Sequence, residues 1–352
     1  MRDRRRRVIE VRDVWKVFSK RPVEALTAIR TGNLSKDAAL SKLEAVVGVR
    51  GVSFQVEEGE IFCVMGLSGS GKSTLVRHVN RLIEPTAGTV SIDGVEVGSL
   101  NATALRELRA TKIGMVFQNM ALLPHRTVRD NIAFALELRD VDEFTRGRIA
   151  DQMLERVSLQ GYGDRKPSEL SGGMQQRVGL ARALAADPAI LLMDEPFSAL
   201  DPLIRRGLQD EFLALSKSLH KTTLFITHDL DEAIRMGSRI AIMKDGEIVQ
   251  IGSPEDIVMR PTDSYVADFV RGISKLRFLF AHSVMMSVEQ YQSQGGKTTS
   301  FKSCPQAHPD DNLEILMGLA IDHEQPILIV DGGVPVGVVT KNALLRGIQG
   351  GA

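Results

Sequence analysis

The run Gly66-Leu67-Ser68-Gly69-Ser70-Gly71-Lys72-Ser73 constrains the fold of this chain more than any other feature in it. It has the spacing G-x-x-x-x-G-K-[ST]. The apolar strand pattern Ile61-Phe62-Cys63-Val64-Met65 precedes it and a helical pattern follows. Glycines at these positions let successive backbone N–H groups turn inward and cradle phosphate oxygens, while the helix that starts here offers its positive end to the same anion. Lys72 is then placed to reach β and γ phosphates, and the Ser73 hydroxyl to ligate Mg²⁺. The ordinary alternative is a glycine-rich turn with a chance lysine, and the strand and helix on either side weigh against it.

The rest of the chain alternates as a parallel α/β sheet requires. Residues 8–17, 49–56, 61–65, 113–117, 190–193 and 223–226 read as strands, and helical patterns separate the later ones. Residues 35–45 read as a small helix with Ser35 as its N-cap. Asp245-Gly246 between two apolar runs reads as a tight hairpin turn. Residues 127–185 differ: they carry three helical patterns and no convincing strand, as expected of a helical subdomain inserted into the α/β unit. Near residue 272 the charge density drops, and residues 290–303 become polar, which marks a domain boundary.

Length and composition agree with this division. A chain of 352 residues makes two or three folded units, and 43% hydrophobic residues supply a full core. Lysine plus arginine equals aspartate plus glutamate, 44 against 44, so no overall charge bias points to nucleic acid. Arg2 and the run Arg4 to Arg7 are the locally basic exception, read as a solvated terminus in preference to a membrane-surface or nucleic-acid tail. Cys63 and Cys304 form neither a metal-ligand pair nor a disulfide framework, which fits a reducing compartment. No stretch of about 18 apolar residues is present to span a bilayer, and the segment after the arginines is too polar for a signal peptide, so a cytosolic location is expected.

Two further runs carry chemistry. Ile190-Leu191-Leu192-Met193-Asp194-Glu195 is a buried strand pattern with two carboxylates at its C-terminal end, the edge where parallel sheets bind ligands. Asp194 would hold Mg²⁺ through water and Glu195 would polarise the attacking water as a general base. Leu170-Ser171-Gly172-Gly173-Met174 opens a helical pattern. Ser171 with Gly172 and Gly173 reads either as a second phosphate contact or as an ordinary N-cap.

Taken in order, these runs resemble the ATP-binding subunit of ABC (ATP-binding cassette) transporters over about residues 8–272. Gly66 to Ser73 resemble Walker A, Gln118 the Q-loop glutamine, Leu170 to Met174 the signature motif and Asp194 the Walker B aspartate. Glu195 resembles the catalytic glutamate, Asp201 in Ser198-Ala199-Leu200-Asp201 the D-loop aspartate, and His228 the switch histidine. The resemblance implies an α/β P-loop NTPase cassette with a helical subdomain in residues 1–272. Lys72, Glu195 and His228 would be catalytic. Gly66, Ser68, Gly69, Ser70, Gly71, Lys72, Ser73, Thr74, Gln118, Ser171, Gly172, Gly173 and Asp201 would contact ATP, and Ser73, Gln118 and Asp194 would hold Mg²⁺. The chain departs from the family pattern at Met174, where glutamine is usual. It departs again in the aromatic that stacks on adenine: Phe18 is the candidate but lies about twice as far before Walker A as usual, and Trp15 and Phe18 also read as core residues.

Each ATP in this family lies between Walker A of one cassette and the signature of another, which implies a homodimer. Separate transmembrane permease subunits would receive its motion on the cytoplasmic face of the cell (inner) membrane, with a substrate-binding protein involved indirectly and no nucleic acid partner. Leu122, Leu123 and Pro124 resemble the groove for a permease coupling helix, or are core of the helical subdomain. Within the family the resemblance is to importers of glycine betaine, proline betaine and choline. It rests on the helical insertion near residues 34–47 and on Asn80-Arg81-Leu82-Ile83-Glu84-Pro85-Thr86 among other runs. A soluble ABC ATPase not tied to transport and an importer engine for another substrate, such as an amino acid, are the alternatives. Residues 273–352 resemble a single cystathionine-β-synthase (CBS) domain, a small α+β unit. Strands at 326–330 and 334–340 flank Asp331-Gly332-Gly333, and the role is regulatory ligand binding, dimerisation or vestigial.

Overall fold

The structure, a computed structural model, describes residues 6–198, 200–273, 276, 278–293 and 303–349. The first arginines, Ala199 of the D-loop run and residues 294–302 of the polar stretch lie outside that set.

Strand β1 (Arg7–Phe18) leads into two short helices, α1 (Pro22–Thr31) and α2 (Lys36–Leu43), before β2 (Val46–Glu57) returns antiparallel beside it. Ser35 caps α2 by accepting the Ala38 N–H, as expected. Leu26, Ile29 and Ala39 of the two helices pack with Val17 and Val47 as a satellite core, which gives the insertion its own reason to fold. Next come β3 (Ile61–Met65), the glycine-rich loop and α3 (Lys72–Val79), then β4 (Ala87–Ile92) and β5 (Val95–Glu96). Strands in the order β2-β1-β4-β5 form an antiparallel sheet.

After α4 (Ala102–Thr111) and β6 (Ile113–Val116), three helices follow without a strand: α5 (Val128–Glu137), α6 (Glu143–Arg156) and α7 (Gly172–Ala185). Each begins on a side chain that caps it, Thr127, Asp142 and Ser171 respectively, with Thr127 and Asp130 forming a capping box. Then come β7 (Ile190–Asp194), α8 (Pro202–Leu219), β8 (Thr222–Thr227), α9 (Leu230–Met236) and the hairpin β9 (Arg239–Lys244) and β10 (Glu247–Gly252). The second sheet has the order β10-β9-β3-β8-β7-β6, parallel except for β10. Strands β3, β7 and β8 are buried at every position, so they need cover on both faces. The antiparallel sheet shares a core with this one: Phe54 of β2 stacks on Phe62 of β3 with centroids 5.0 Å apart, among Val11, Val52 and Val64.

The second unit comprises α10 (Pro254–Met259), α11 (Ser264–Val270), α12 (Ala281–Val284), α13 (Val288–Ser293), β11 (Gln306–Ala307), α14 (Leu313–Asp322), β12 (Ile327–Asp331), β13 (Val334–Val339) and α15 (Lys341–Gln349). Its sheet runs β11-β12-β13, and the β12–β13 hairpin turns on Gly332 and Gly333, both at positive φ. Leu313, Leu316, Ile327, Ile329, Val339 and Leu344 form its core.

The compact units divide between Ser253 and Pro254, not near residue 272. Met259 of α10 packs against the second core, and the Ser283 hydroxyl donates to Glu255 at 3.4 Å. Composition is blind to this because residues 254–272 carry as much charge as the segments before them. Among the described residues no helix is long and apolar enough to cross a membrane.

Candidate functional site

Register in the parallel sheet assembles the site. Met65 pairs with Thr227, and Asp194 pairs with Ile226, so the glycine-rich loop, the two carboxylates and His228 leave adjacent strands at one C-terminal edge. Val116 pairs with Met193, which brings exposed Gln118 out beside them.

Two glycines in the loop are required by close approach. A Cβ on Gly66 would lie 2.2 Å from the Met243 carbonyl, and one on Gly71 would lie 2.1 Å from the Gly48 carbonyl at a φ of +103°. Gly69 has φ +78° and open space around it. The hairpin turn braces the loop from below: Gly246 N–H donates to the Ser70 carbonyl at 3.0 Å, and Arg50 N–H donates to Gly246. From the insertion, Lys36 Nζ donates to the Gly69 carbonyl at 3.0 Å.

Lys72 is buried, and its ammonium donates to the carbonyls of Gly66 (2.8 Å) and Leu67 (3.1 Å), 3.9 Å from Glu195. Burial pushes its pKa below the usual lysine range, and the Glu195 and Asp194 charges oppose that shift. Ser73 Oγ donates to Asp194 Oδ1 at 2.8 Å, and Arg77 reaches Oδ2 of the same carboxylate at 3.3 Å. Arg77 was not visible as a site residue in the sequence. It lies one helical turn beyond Ser73, and this periodicity is the signal that could have found it.

Glu195 sits at φ +46°, a left-handed conformation that costs a non-glycine residue about 1 kcal/mol or more. It is held there by its own N–H on the Ile226 carbonyl (3.1 Å) and by the Ser198 hydroxyl on its carbonyl (3.0 Å). The conformation turns its carboxylate toward His228, whose Nδ1 is 2.9 Å from Glu195 Oε2. With Glu195 ionised, Nδ1–H donates, and the ring is half-exposed.

Other expected residues lie elsewhere. Ser171 caps α7 by accepting the Met174 N–H at 3.4 Å, and among the described residues no hydrogen bond joins it to the glycine-rich loop. Gly172 has open space around it, whereas a Cβ on Gly173 would lie 2.9 Å from Ile204. Asp201 caps α8 through the Ile204 N–H. Phe18 is 43% exposed, and its ring lies over Gly48, where a Cβ would also approach the Thr74 methyl. Trp15 instead packs against the satellite core with the Arg30 guanidinium 4.7 Å from its ring.

The arrangement suits a magnesium nucleoside triphosphate. The Gly66 and Gly71 cradle admits no side chain, and Ser70 Oγ is buried without a partner at its inner wall. A phosphate oxygen would satisfy that hydroxyl. The Ser73 hydroxyl and Asp194 carboxylate form a hard oxygen pair, the kind Mg²⁺ takes together with phosphate and water.

Two sheets sharing a core, an inserted helical subdomain and this edge define an ATP-hydrolysing cassette of the ABC type. An ABC transporter family model matches residues 49–198. The chain is 48% identical over 320 residues to the glycine betaine transport ATP-binding protein OpuAA of Bacillus subtilis, covering 91% of this chain and 75% of that protein. It is 54% identical over 274 residues to the trimethylamine N-oxide transport system ATP-binding protein TmoW of Ruegeria pomeroyi, covering 78% of this chain and 80% of that one. Among solved structures, a dimeric ATP-binding cassette in a post-hydrolysis state, bound to ADP and Pi, superposes with a TM-score of 0.60 at 31% identity. That match covers 70% of this chain and 98% of the other. The chain belongs to the ATP-binding subunits of ABC transporters, in the family that serves uptake of glycine betaine and related quaternary amines.

Proposed function

We propose that the chain powers uptake of a quaternary amine or betaine-type osmolyte through separate permease subunits. The hydrogen bond between Glu195 and His228, set beside Lys72 and the Ser73–Asp194 pair, carries the hydrolytic half of this reading. Glu195 acts as general base on the attacking water, and His228 orients its carboxylate. Lys72 moves from the loop carbonyls to the β and γ phosphates, an exchange of neutral acceptors for anionic ones that favours bound ATP. Asp194 and Ser73, with Gln118 nearby, hold Mg²⁺, which when bound neutralises charge developing on the transferred phosphoryl group. Phe18 stacks on adenine through its exposed face.

Ser171, Gly172, Gly173 and Asp201 serve the nucleotide of a second copy of the chain, so two cassettes close on two ATP molecules. This explains why Ser171, Gly172 and Asp201 lie exposed, with Gly173 half-buried beside them, outside the phosphate cradle of their own chain. The permease is received in a groove of about 1000 Å³ lined by Phe117, Leu123, Phe134 and Leu138 together with Arg106 and Arg139. Leu138 is 66% exposed there and offers the partner an apolar contact. The chain sits on the cytoplasmic face of the inner membrane, and a substrate-binding protein acts through the permease. Residues from about 273 form one CBS-like unit, a reading supported by the order β11-α14-β12-β13-α15.

The test is reconstitution of the chain with its permease and binding protein in vesicles. Glycine betaine, choline or trimethylamine N-oxide should stimulate ATP turnover, and an amino acid should not. Stimulation by the amino acid alone would overturn the substrate class.

A further inference from the structure

A partly buried polar network lies behind the His228 loop and takes no part in the hydrolytic chemistry. Arg205 lies in the first turn of α8, the helix capped by Asp201. Its NH2 donates to the Leu200 carbonyl at 3.1 Å and its NH1 to Asp229 Oδ2 at 3.1 Å, while Nε lies 3.8 Å from Glu232 Oε1. Asp229 caps α9 through the Glu232 N–H, and its own N–H donates to Thr227 Oγ1 at 3.0 Å. The Thr227 hydroxyl in turn donates to Glu232 Oε2 at 2.5 Å, and Gln209 of α8 donates to Oε1 at 3.0 Å. Thr227, Gln209 and Glu232 are each 5% exposed or less.

We propose that Arg205 is a positioning residue that locks the loop before Asp201 to the loop carrying His228, and so sets the distance from His228 to Glu195. The inference rests on the roles given above to His228 and Asp201. Both neighbours of His228, Thr227 and Asp229, are fastened into the network, whereas the half-exposed His228 ring has the Glu195 carboxylate as its polar partner. The backbone at 227–229 therefore aims the imidazole, and one guanidinium ties that backbone to the Leu200 carbonyl. A shift of the Asp201 loop, which faces the second copy, is passed to the His228 loop through this planar fork. Lysine cannot reproduce it, since a single ammonium cannot span the Leu200 carbonyl and Asp229 with the same geometry. A misplacement of about 1 Å at a reacting group can cost about a hundredfold in rate.

The competing account is a partly buried ion pair that only stabilises the fold. Steady-state hydrolysis by the full-length chain separates the two when measured for Arg205→Lys, Arg205→Met, His228→Ala and both Arg205 changes combined with His228→Ala, each with its thermal midpoint. Positioning through His228 predicts that Arg205→Lys lowers kcat about tenfold or more, leaves the KM for ATP within about twofold and keeps the thermal midpoint. In the His228→Ala background either Arg205 change should then lower kcat by less than about twofold. An equal fold-loss in both backgrounds, or wild-type kcat in Arg205→Lys, overturns the proposal. Full activity in His228→Ala alone removes the histidine role itself and the proposal with it, and that failure shows in a separate measurement.

Discussion

Lys72 and Glu195 approach to 3.9 Å at one end of the phosphate cradle, yet they answer different questions about the site. Glu195→Gln removes a proton acceptor and leaves the cradle intact, so ATP binding should persist while turnover drops by about 10²–10⁴-fold, the usual loss for a general base. Lys72→Ala removes the buried cation, so nucleotide affinity itself should fall. A nucleotide titration of both variants checks this, and equal affinities would sink the role given to Lys72. At this scale the sequence was most legible where chemistry is local. The loop from Gly66 to Ser73, the Asp194-Glu195 pair and His228 announce themselves through spacing next to strand ends. Arg77, Arg205 and Glu232 did not, because each sits at an ordinary helical position. The partners of Arg77 and Arg205 are 117 and 24 residues away, and only the strand register brings them together. Ser171 shows the opposite limit: the cap seen within one chain and the phosphate contact expected across two involve the same hydroxyl.

Strands were the elements easiest to read. Of these, β3 spans 61–65 as expected, because an all-apolar run next to a turn signal leaves few alternatives, and the others differ from the expected runs by a few residues at their ends. Helix α1 escaped because it starts on Arg21 with no side-chain cap, and β4 because Ala87-Gly88-Thr89 is a poor strand opening. Gly88 is nonetheless needed there, since a Cβ would lie 2.2 Å from the Asp13 carbonyl of β1. Helix α3 carries a further consequence at its last turn. His78 is 1% exposed, its Nδ1 lies 2.7 Å from the Ile83 carbonyl, and its Nε2 has no partner. Burial therefore holds its pKa below the usual histidine value, and the nearby Lys16 charge acts in the same sense. A depressed histidine pKa leaves stability intact above the unfolded value of about 6.5. Stability is then lost as pH falls from there through the folded pKa, because the unfolded chain takes up the proton first. The thermal midpoint should thus drop between pH 7.5 and 5.5. His78→Gln, which keeps a donor for Ile83, should show a smaller drop, and an unchanged drop would assign the acid sensitivity to other groups.

At the scale of the whole molecule, the position of the division between the two units decides which fragment stands alone. Every residue placed at the phosphate edge precedes Ser253, including His228 and the hairpin turn at Gly246 that braces the loop. The charge-rich composition up to residue 272 suggests stopping the chain there, but that stop separates α10 from the core it packs against. Met259 would lose the apolar cluster around Leu313 and Ile329, and Glu255 would lose Ser283. Newly exposed apolar surface promotes association between copies. A chain ending at Ser253 removes α10 and α11 together with the core they pack against. Both fragments should bind ATP, because neither stop touches the cradle. The Ser253 fragment should remain monodisperse without nucleotide and keep basal hydrolysis close to that of the full chain, while the Gly272 fragment should self-associate or melt at a lower temperature. Size-exclusion profiles and thermal midpoints of the two, measured side by side without nucleotide, make the comparison. If the Gly272 fragment is the better behaved, then α10 and α11 complete the cassette, and their contacts with the tail are secondary.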